Sequence, residues 1–222
     1  MKIAGLDLSP NSSGVTKFTL DEKFNVIESD YLGFTTVKKN ECDKIHHYKN
    51  NDFENYIEKT IWMRDKIDVF LDDTDYIAIE DYAFAARGRV FHIAEFAGIQ
   101  KEMAYEAGRH IRLYDPGSIK IYADGRGNCD KISMSDAYEN STLLYKHDLK
   151  HLPEVNKSNG NSPTSDVIDS FFICDLLLLE LKLRNGLVDL KTYPQKVIKV
   201  FNRTSPSFPD NILSRDFMVK ST

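Results

Sequence analysis

Four acidic residues stand where a folded chain normally excludes them. Asp7 interrupts an apolar run near the amino terminus, and Glu80 ends the segment Tyr76-Ile77-Ala78-Ile79. Asp166 and Asp169 open the most hydrophobic stretch of the chain. A carboxylate in apolar surroundings is costly unless it is paired or holds a cation. Singly, each has a structural explanation: Asp7 could cap a turn, and Asp166 could be a first-turn charge favoured by a helix dipole. Their spacing favours a joint explanation. Asp166 and Asp169, three residues apart, share one helical face. Asp175 lies roughly 180° round the same helix at about 100° per residue, which sends it to solvent or a salt link. Glu80 and Asp81 point to opposite sides of a strand, so only one can join Asp7, and Glu80 is the choice. Donors that are all oxygen suit hard cations such as Mg²⁺ or Mn²⁺ rather than zinc. Two such ions, about 3.5–4 Å apart, could clamp the attacking and leaving oxygens of a phosphodiester displacement.

These side chains need elements to carry them. Residues 2–8 read as an apolar strand, followed by a turn-rich segment from Ser9 to Gly14. Residues 15–20 and 25–34 continue as strands, so the domain opens on an antiparallel meander. From 52 to 71, Phe53, Tyr56, Ile57, Thr60, Ile61, Arg64, Ile67 and Leu71 recur at helical intervals. A short strand at 76–80 follows, then helix 90–109, strand 112–114 and helix 131–146. Residues 153–163 are loop-like, and a strongly apolar helix spans 165–183, closed by Asn185-Gly186. Beyond 186, Pro194, Pro206 and Pro209 make the tail irregular. Strands followed by alternating helix and strand indicate an α/β domain with a mixed sheet flanked by helices.

Composition sets limits on the function. Hydrophobic residues are 41% and charged residues 28% of 222, as expected of a globular domain. No apolar run approaches the ~20 residues of a membrane span, and the amino terminus enters a strand directly, which predicts a cytoplasmic protein without a signal peptide. Three cysteines (Cys42, Cys129 and Cys174) show no metal-ligand spacing and read as free thiols. A formal net charge of -5 is unfavourable for a partner made of phosphates, but the charge is unevenly spread. Residues 21–81 hold 16 acidic against 8 basic side chains, residues 87–131 hold 6 against 8, and residues 186–222 hold 3 against 6. Such asymmetry permits a basic face on an acidic protein.

The order Asp…Glu…Asp-x-x-Asp, on first strand, fourth strand and last core helix, resembles the RuvC family of Holliday junction resolvases. The likeness runs over about residues 1–182. It includes Gly5-Leu6-Asp7-Leu8-Ser9-Pro10-Asn11-Ser12-Ser13-Gly14, Ile79-Glu80-Asp81-Tyr82 with Ala94-Glu95-Phe96-Ala97-Gly98, and Ile119-Lys120 followed by Gly125-Arg126-Gly127-Asn128-Cys129-Asp130-Lys131. The resemblance implies a ribonuclease H-like mixed five-stranded sheet flanked by helices, in a nuclease domain over 1–185 with an extension at 186–222. It implies two Mg²⁺ ions per site, replaceable by Mn²⁺, held by Asp7, Glu80, Asp166 and Asp169. It makes Lys120 and Lys131 phosphate-contacting catalytic residues in a basic loop. A lysine near a scissile phosphate would stabilise developing charge, although Lys131 could instead be a solvated residue at a helix start. Tyr82 or Phe84 would open base pairs at a junction, unless they pack in the core. Arg87, Arg89 and Arg126 would contact DNA, or Arg87 and Arg89 would be solvated loop residues. Residues of about 37–52 look like an insertion, and the tail after 186 has no counterpart. The tail's Tyr193, Phe201 and Phe208 could stack on nucleic acid or pack on a partner subunit.

The implied activity is metal-dependent endonucleolytic resolution of four-way DNA junctions by a homodimer, since two symmetry-related cuts call for twofold symmetry. The helix over 90–109 could supply part of the dimer interface. The additions to the family pattern suit a viral or mobile-element protein. The same fold and carboxylates also serve ribonucleases, terminase nucleases and transposases, and forks, flaps and three-way junctions are alternative substrates, so phosphodiester hydrolysis is the firmer half of the expectation. A sugar-kinase-like ATPase would need a second Gly-rich phosphate loop that the sequence lacks. An inactive scaffold would have no use for four repelling carboxylates.

Overall fold

The computed structural model describes residues 1–81, 90–156, 163–204 and 208–220. Strands β1 (Lys2–Asp7), β2 (Gly14–Leu20) and β3 (Val26–Thr35) form the antiparallel meander. β4 (Ile45–His47) adds to β3, and β5 (Tyr76–Glu80) and β6 (His110–Tyr114) run parallel to β1 on its other side. The spatial order is β4-β3-β2-β1-β5-β6. This is a mixed sheet with ribonuclease H-like topology, but it has six strands rather than five. The sixth comes from the inserted segment, where Ile45 carries a buried side chain into an otherwise polar stretch.

Helices cover both faces. On one side lie α1 (Tyr56–Phe70) and α2 (Val90–Glu106), which bury Met63, Ile67, Phe96 and Ala104 against Ala4, Leu6, Ile77 and Ile79. The other side is filled by α5 (Pro163–Arg184), with α3 (Pro116–Asp124), α4 (Lys131–Glu139) and α6 (Gln195–Phe201) outside it. Because side chains alternate along a strand, Ile3 and Ala78 face α5 while their neighbours face α1 and α2. α5 is buried on nearly all sides from Pro163 to Leu181, which explains its unbroken apolar run. Among the described residues no helix is long and apolar enough to cross a membrane.

Several boundaries differ from the sequence reading for local reasons. Residues 116–124 are helical, so Lys120 sits on α3 rather than in a basic loop. Asp115 caps that helix by accepting from Ser118 N, Pro116 fits its first turn, and Gly125 ends it at φ 92°. α4 stops at Glu139 instead of continuing to 146. The tail packs on its own domain: Val197, Val200, Phe201 and Ile212 are buried in the α5-side core, and Met218 bridges to Ile111 of β6. Phe201 is 1% exposed, which removes it from any stacking surface.

Candidate functional site

Asp7 and Glu80 end neighbouring parallel strands, one step beyond the Leu6–Ile79 pair. Both continue the alternation that faces α5, while Asp81 faces the other way and meets Lys101 of α2 at 3.4 Å. Across the sheet Asp7 pairs with Gly14. A side chain at Gly14 would fall 2.1 Å from the carbonyl oxygen of Asp166, and one at Gly5 would fall 2.3 Å from Cys174 N. The two glycines thus let α5 lie directly on β1 and β2. That close approach brings the first turns of α5, with Asp166 and Asp169, against the strand ends that carry Asp7 and Glu80.

The four carboxylates feel one another. Burial raises the pKa of Asp7 well above the ordinary range, and the charges of Glu80, Asp169 and Asp166 raise it further. Burial pushes Glu80 up to about 7, against the opposing pull of Lys120. Asp169 is pushed up to about 8 by burial and by Glu80 and Asp166, with Lys131 and Lys120 opposing. Asp166, 4% exposed, is raised by burial despite the nearby Lys131 and the hydroxyls of Ser12 and Ser165. Its Oδ2 is buried and has no hydrogen-bond partner among the described residues.

Two lysines flank the acids. Lys131, the first residue of α4, donates from Nζ to Ser165 Oγ at 2.9 Å and to Asp166 Oδ1 at 3.4 Å. Burial would lower its pKa, but the attraction of Asp166, Asp169 and Asp7 outweighs burial and the net shift is upward. Lys120 reaches the site from α3, where its charge acts on Glu80 and Asp169. Arg126 is exposed and turned to Asp124 at 2.6 Å and Ser133 at 3.2 Å. Tyr82, Phe84, Arg87 and Arg89 lie outside the described residues.

Some neighbours of the site were not legible beforehand. Ser12 and Ser165 touch Asp166 from the turn after β1 and from the residue beside it. Arg203, from the tail, pairs with Asp115 at 3.2 Å and lies against Gly117 and Gly127. A side chain at Gly117 would meet that guanidinium at 2.7 Å. Asp175 needs correction. It is opposite Asp166 on α5, as helix geometry requires, but that face is covered rather than solvated. Its oxygens accept from Tyr122 OH and Tyr145 OH, both at 2.6 Å.

The donors fit a hard divalent cation in kind and in charge: they are all carboxylate oxygens, mutually repelling, with one buried oxygen unpartnered. They do not form a closed cage as they stand. Among the described residues no three acidic, His or Cys side chains lie close enough together to hold one ion.

No family profile and no curated protein matches the sequence. Solved structures do match. RuvC of Thermus thermophilus superposes with a TM-score of 0.54 at 18% identity, covering 84% of this chain and 97% of that one. T. thermophilus RuvC in complex with Holliday junction substrate gives 0.52 at 16% identity, over 84% of this chain and 96% of that one. A fowlpox virus Holliday junction resolvase superposes more loosely, at 0.46 and 16% identity, over 81% and 99%. With the strand order and the flanking helices, the first two likenesses show an α/β fold of the ribonuclease H-like class.

Proposed function

We propose that this chain is a Mg²⁺-dependent, structure-specific DNA endonuclease that resolves Holliday junctions. The observation that carries the reading is the convergence of Asp7, Glu80, Asp166 and Asp169 at one end of a ribonuclease H-like sheet, with a buried Asp166 oxygen left unpartnered. A metal-free protein gains nothing from holding repelling carboxylates together. Asp7, Glu80, Asp166 and Asp169 are the residues that would hold the ions. Bound there, two Mg²⁺ ions supply an activated water and charge stabilisation at the scissile phosphate.

The chain's own residues do the rest. Lys120 and Lys131 favour the ionised carboxylates, the form in which they can serve as ligands. The same two ammonium groups oppose negative charge that develops on a phosphate in the transition state. Ser165 fixes the Lys131 amine beside Asp166. Arg126, with Tyr82, Phe84, Arg87 and Arg89, is assigned to DNA contact, and the active unit is a homodimer that cuts two symmetry-related strands. The likeness to a structure solved with a Holliday junction supports a branched substrate.

The test is cleavage of a labelled synthetic four-way junction with Mg²⁺, comparing wild type and Asp169→Asn, alongside linear, forked and flapped DNA. Paired symmetrical nicks by wild type, absent in the variant while binding persists, are expected. Cleavage of forks or flaps alone would keep the chemistry and change the substrate. Absence of metal-dependent cleavage on every DNA would end the nuclease reading.

A further inference from the structure

Among the described residues, Lys59 has no counter-charge. It projects from α1 and is 8% exposed, yet among the described residues no carboxylate lies against it. Its Nζ sits over the rings of Tyr48 and Tyr56, at 5.5 and 5.9 Å from their centroids. Among the described residues its Nζ donates to Asn11 Oδ1, at 3.5 Å. Burial alone, with no neighbouring charge, pulls its pKa down. Several other buried or half-buried cations among the described residues meet anions or carbonyls: Arg112 has Glu180, Arg109 has Asp68, and Lys146 has the Tyr138 and Glu139 carbonyls, whereas Arg215, whose Nε has no hydrogen-bond partner among them, lies over the Phe208 ring. A buried ammonium with only a distant amide oxygen costs stability that well-packed apolar atoms would not.

Its location relates it to the carboxylates. Asn11 belongs to the turn that follows Asp7, and the next residue, Ser12, acts on Asp166. Lys59 therefore stands at the same end of the sheet as the acids, but on the α1 side. The inserted segment completes the surroundings. Tyr48, immediately after β4, is 1% exposed and donates from OH to the Asn11 carbonyl at 2.7 Å, which holds the turn against α1. Asn11 itself is only partly covered.

We propose that Lys59 and the side-chain amide of Asn11 form a phosphodiester-binding site that grips the nucleic-acid backbone beside the carboxylate cluster. This rests on the nuclease reading above and adds a contact supplied through the inserted segment. A backbone phosphate supplies the missing anion for the ammonium and an acceptor for the Asn11 NH₂. It would lie a short way along the strand from the phosphate at the carboxylates, so it holds register and does not react.

The test measures binding of a labelled four-way junction without divalent cation, across a KCl series, for wild type, Lys59→Met and Lys59→Arg, with a melting curve for each. Lys59→Met should weaken binding about fivefold to tenfold at low salt. It should also flatten the slope of log affinity against log salt by about 0.9, the loss of one phosphate contact. Lys59→Arg should bind within about twofold of wild type. The melting curves separate this role from a structural one: removing an unpaired buried charge should raise the Tm of Lys59→Met by about 2–4 °C. Unchanged affinity and slope in Lys59→Met, with wild type binding normally, would overturn the site and leave the nuclease reading intact. If wild type itself binds no DNA, both fall together. Inorganic phosphate that raises the Tm of wild type but not of Lys59→Met, with DNA affinity equal in the two, would make this a free-anion site and overturn the assignment to DNA.

Discussion

The two ends of α5 handle buried charge in opposite ways. Near its carboxyl end Glu180, fully buried, has both oxygens occupied. Oε1 accepts from Arg112 and Arg184, each at 2.7 Å, and Oε2 accepts from Arg112 at 3.1 Å and Tyr114 OH at 2.6 Å. The two arginines go on to donate to the carbonyls of Ile212, Arg215 and Asp216, and Phe217 stacks beneath them. That cluster ties the tail to the domain. Near the amino end, Asp166 and Asp169 face Asp7 and Glu80 with two lysines for four acids, and one oxygen of Asp166 has no hydrogen-bond partner among the described residues. A satisfied cluster on a helix is structure; an unsatisfied one on the same helix is the mark of a ligand that is expected there.

The comparison breaks first at Glu180. Glu180→Ala should leave the buried Arg112 guanidinium without its carboxylate, and the outer Arg184 likewise, and cost about 3–5 kcal/mol, a fall in Tm on the order of 10 °C for a chain of this size. A thermal melt checks it, and a change under about 1 kcal/mol would mean that the network contributes no more than a surface pair.

At the other end the loss should appear in chemistry. Lys131→Ala should slow cleavage of a four-way junction about 10²-fold while weakening binding far less, as read by single-turnover cleavage and by anisotropy. Equal losses in both would reduce Lys131 to a phosphate anchor.

Proton linkage sharpens the contrast. Glu80 and Asp169 hold their protons up to about 7 and about 8 in the metal-free fold, whereas unfolded carboxyls release them near pH 4. Between those limits the native state binds more protons than the unfolded state, so stability falls as pH rises from about 4 to about 8 and then levels. In EDTA the Tm should decline across that window. Asp169→Asn should flatten the decline and melt about 3–6 °C higher than wild type at pH 8. Mg²⁺ should raise the wild-type Tm there by binding the folded state. A wild-type Tm that rises through the window would show that the acids are already ionised without metal.

Much of this was legible in the residues because it depends on short-range patterns. The alternation of residues 2–8 and 76–80 fixed which acids share a face, since strand side chains can only alternate. The three-residue spacing of Asp166 and Asp169 did the same on a helix. What escaped depended on neighbours distant in sequence. Six of the nine residues in α3 are apolar or glycine-like in no clear period, and its start signal, Asp115-Pro116, was masked by Gly117, whose lack of a side chain serves Arg203 eighty-six residues later. The tail's Val197, Val200 and Phe201 do have helical spacing, but the flanking prolines hid a seven-residue helix. No local pattern could show that Asp166 Oδ2 lacks a partner or that Lys59 lacks a counter-charge, because an absence of contacts belongs to the packed fold.

Asp175 supplies the smallest and most discriminating comparison, because it is a buried carboxylate on the same helix held by two phenol hydroxyls, with no salt bridge among the described residues and only the charge of Lys182 acting on it. Burial raises its pKa, while the hydroxyls of Tyr122 and Tyr145 pull it back. Two phenols therefore do for Asp175 what the lysines only partly do for Asp166 and Asp169. Removing either hydroxyl, in Tyr122→Phe or Tyr145→Phe, leaves one oxygen short of a donor, and Asp175 can respond by taking up a proton. That response limits the cost to about 1 kcal/mol, or about 2–4 °C in Tm. The sign is the point: these variants should melt lower than wild type, and Asp169→Asn higher, though all three alter a polar group on or beside α5. If Tyr145→Phe melts as high as wild type at pH 8, Asp175 is no better satisfied than the acids at the other end of the helix. The distinction between a structural and a ligand-ready carboxylate would then not follow from counting donors.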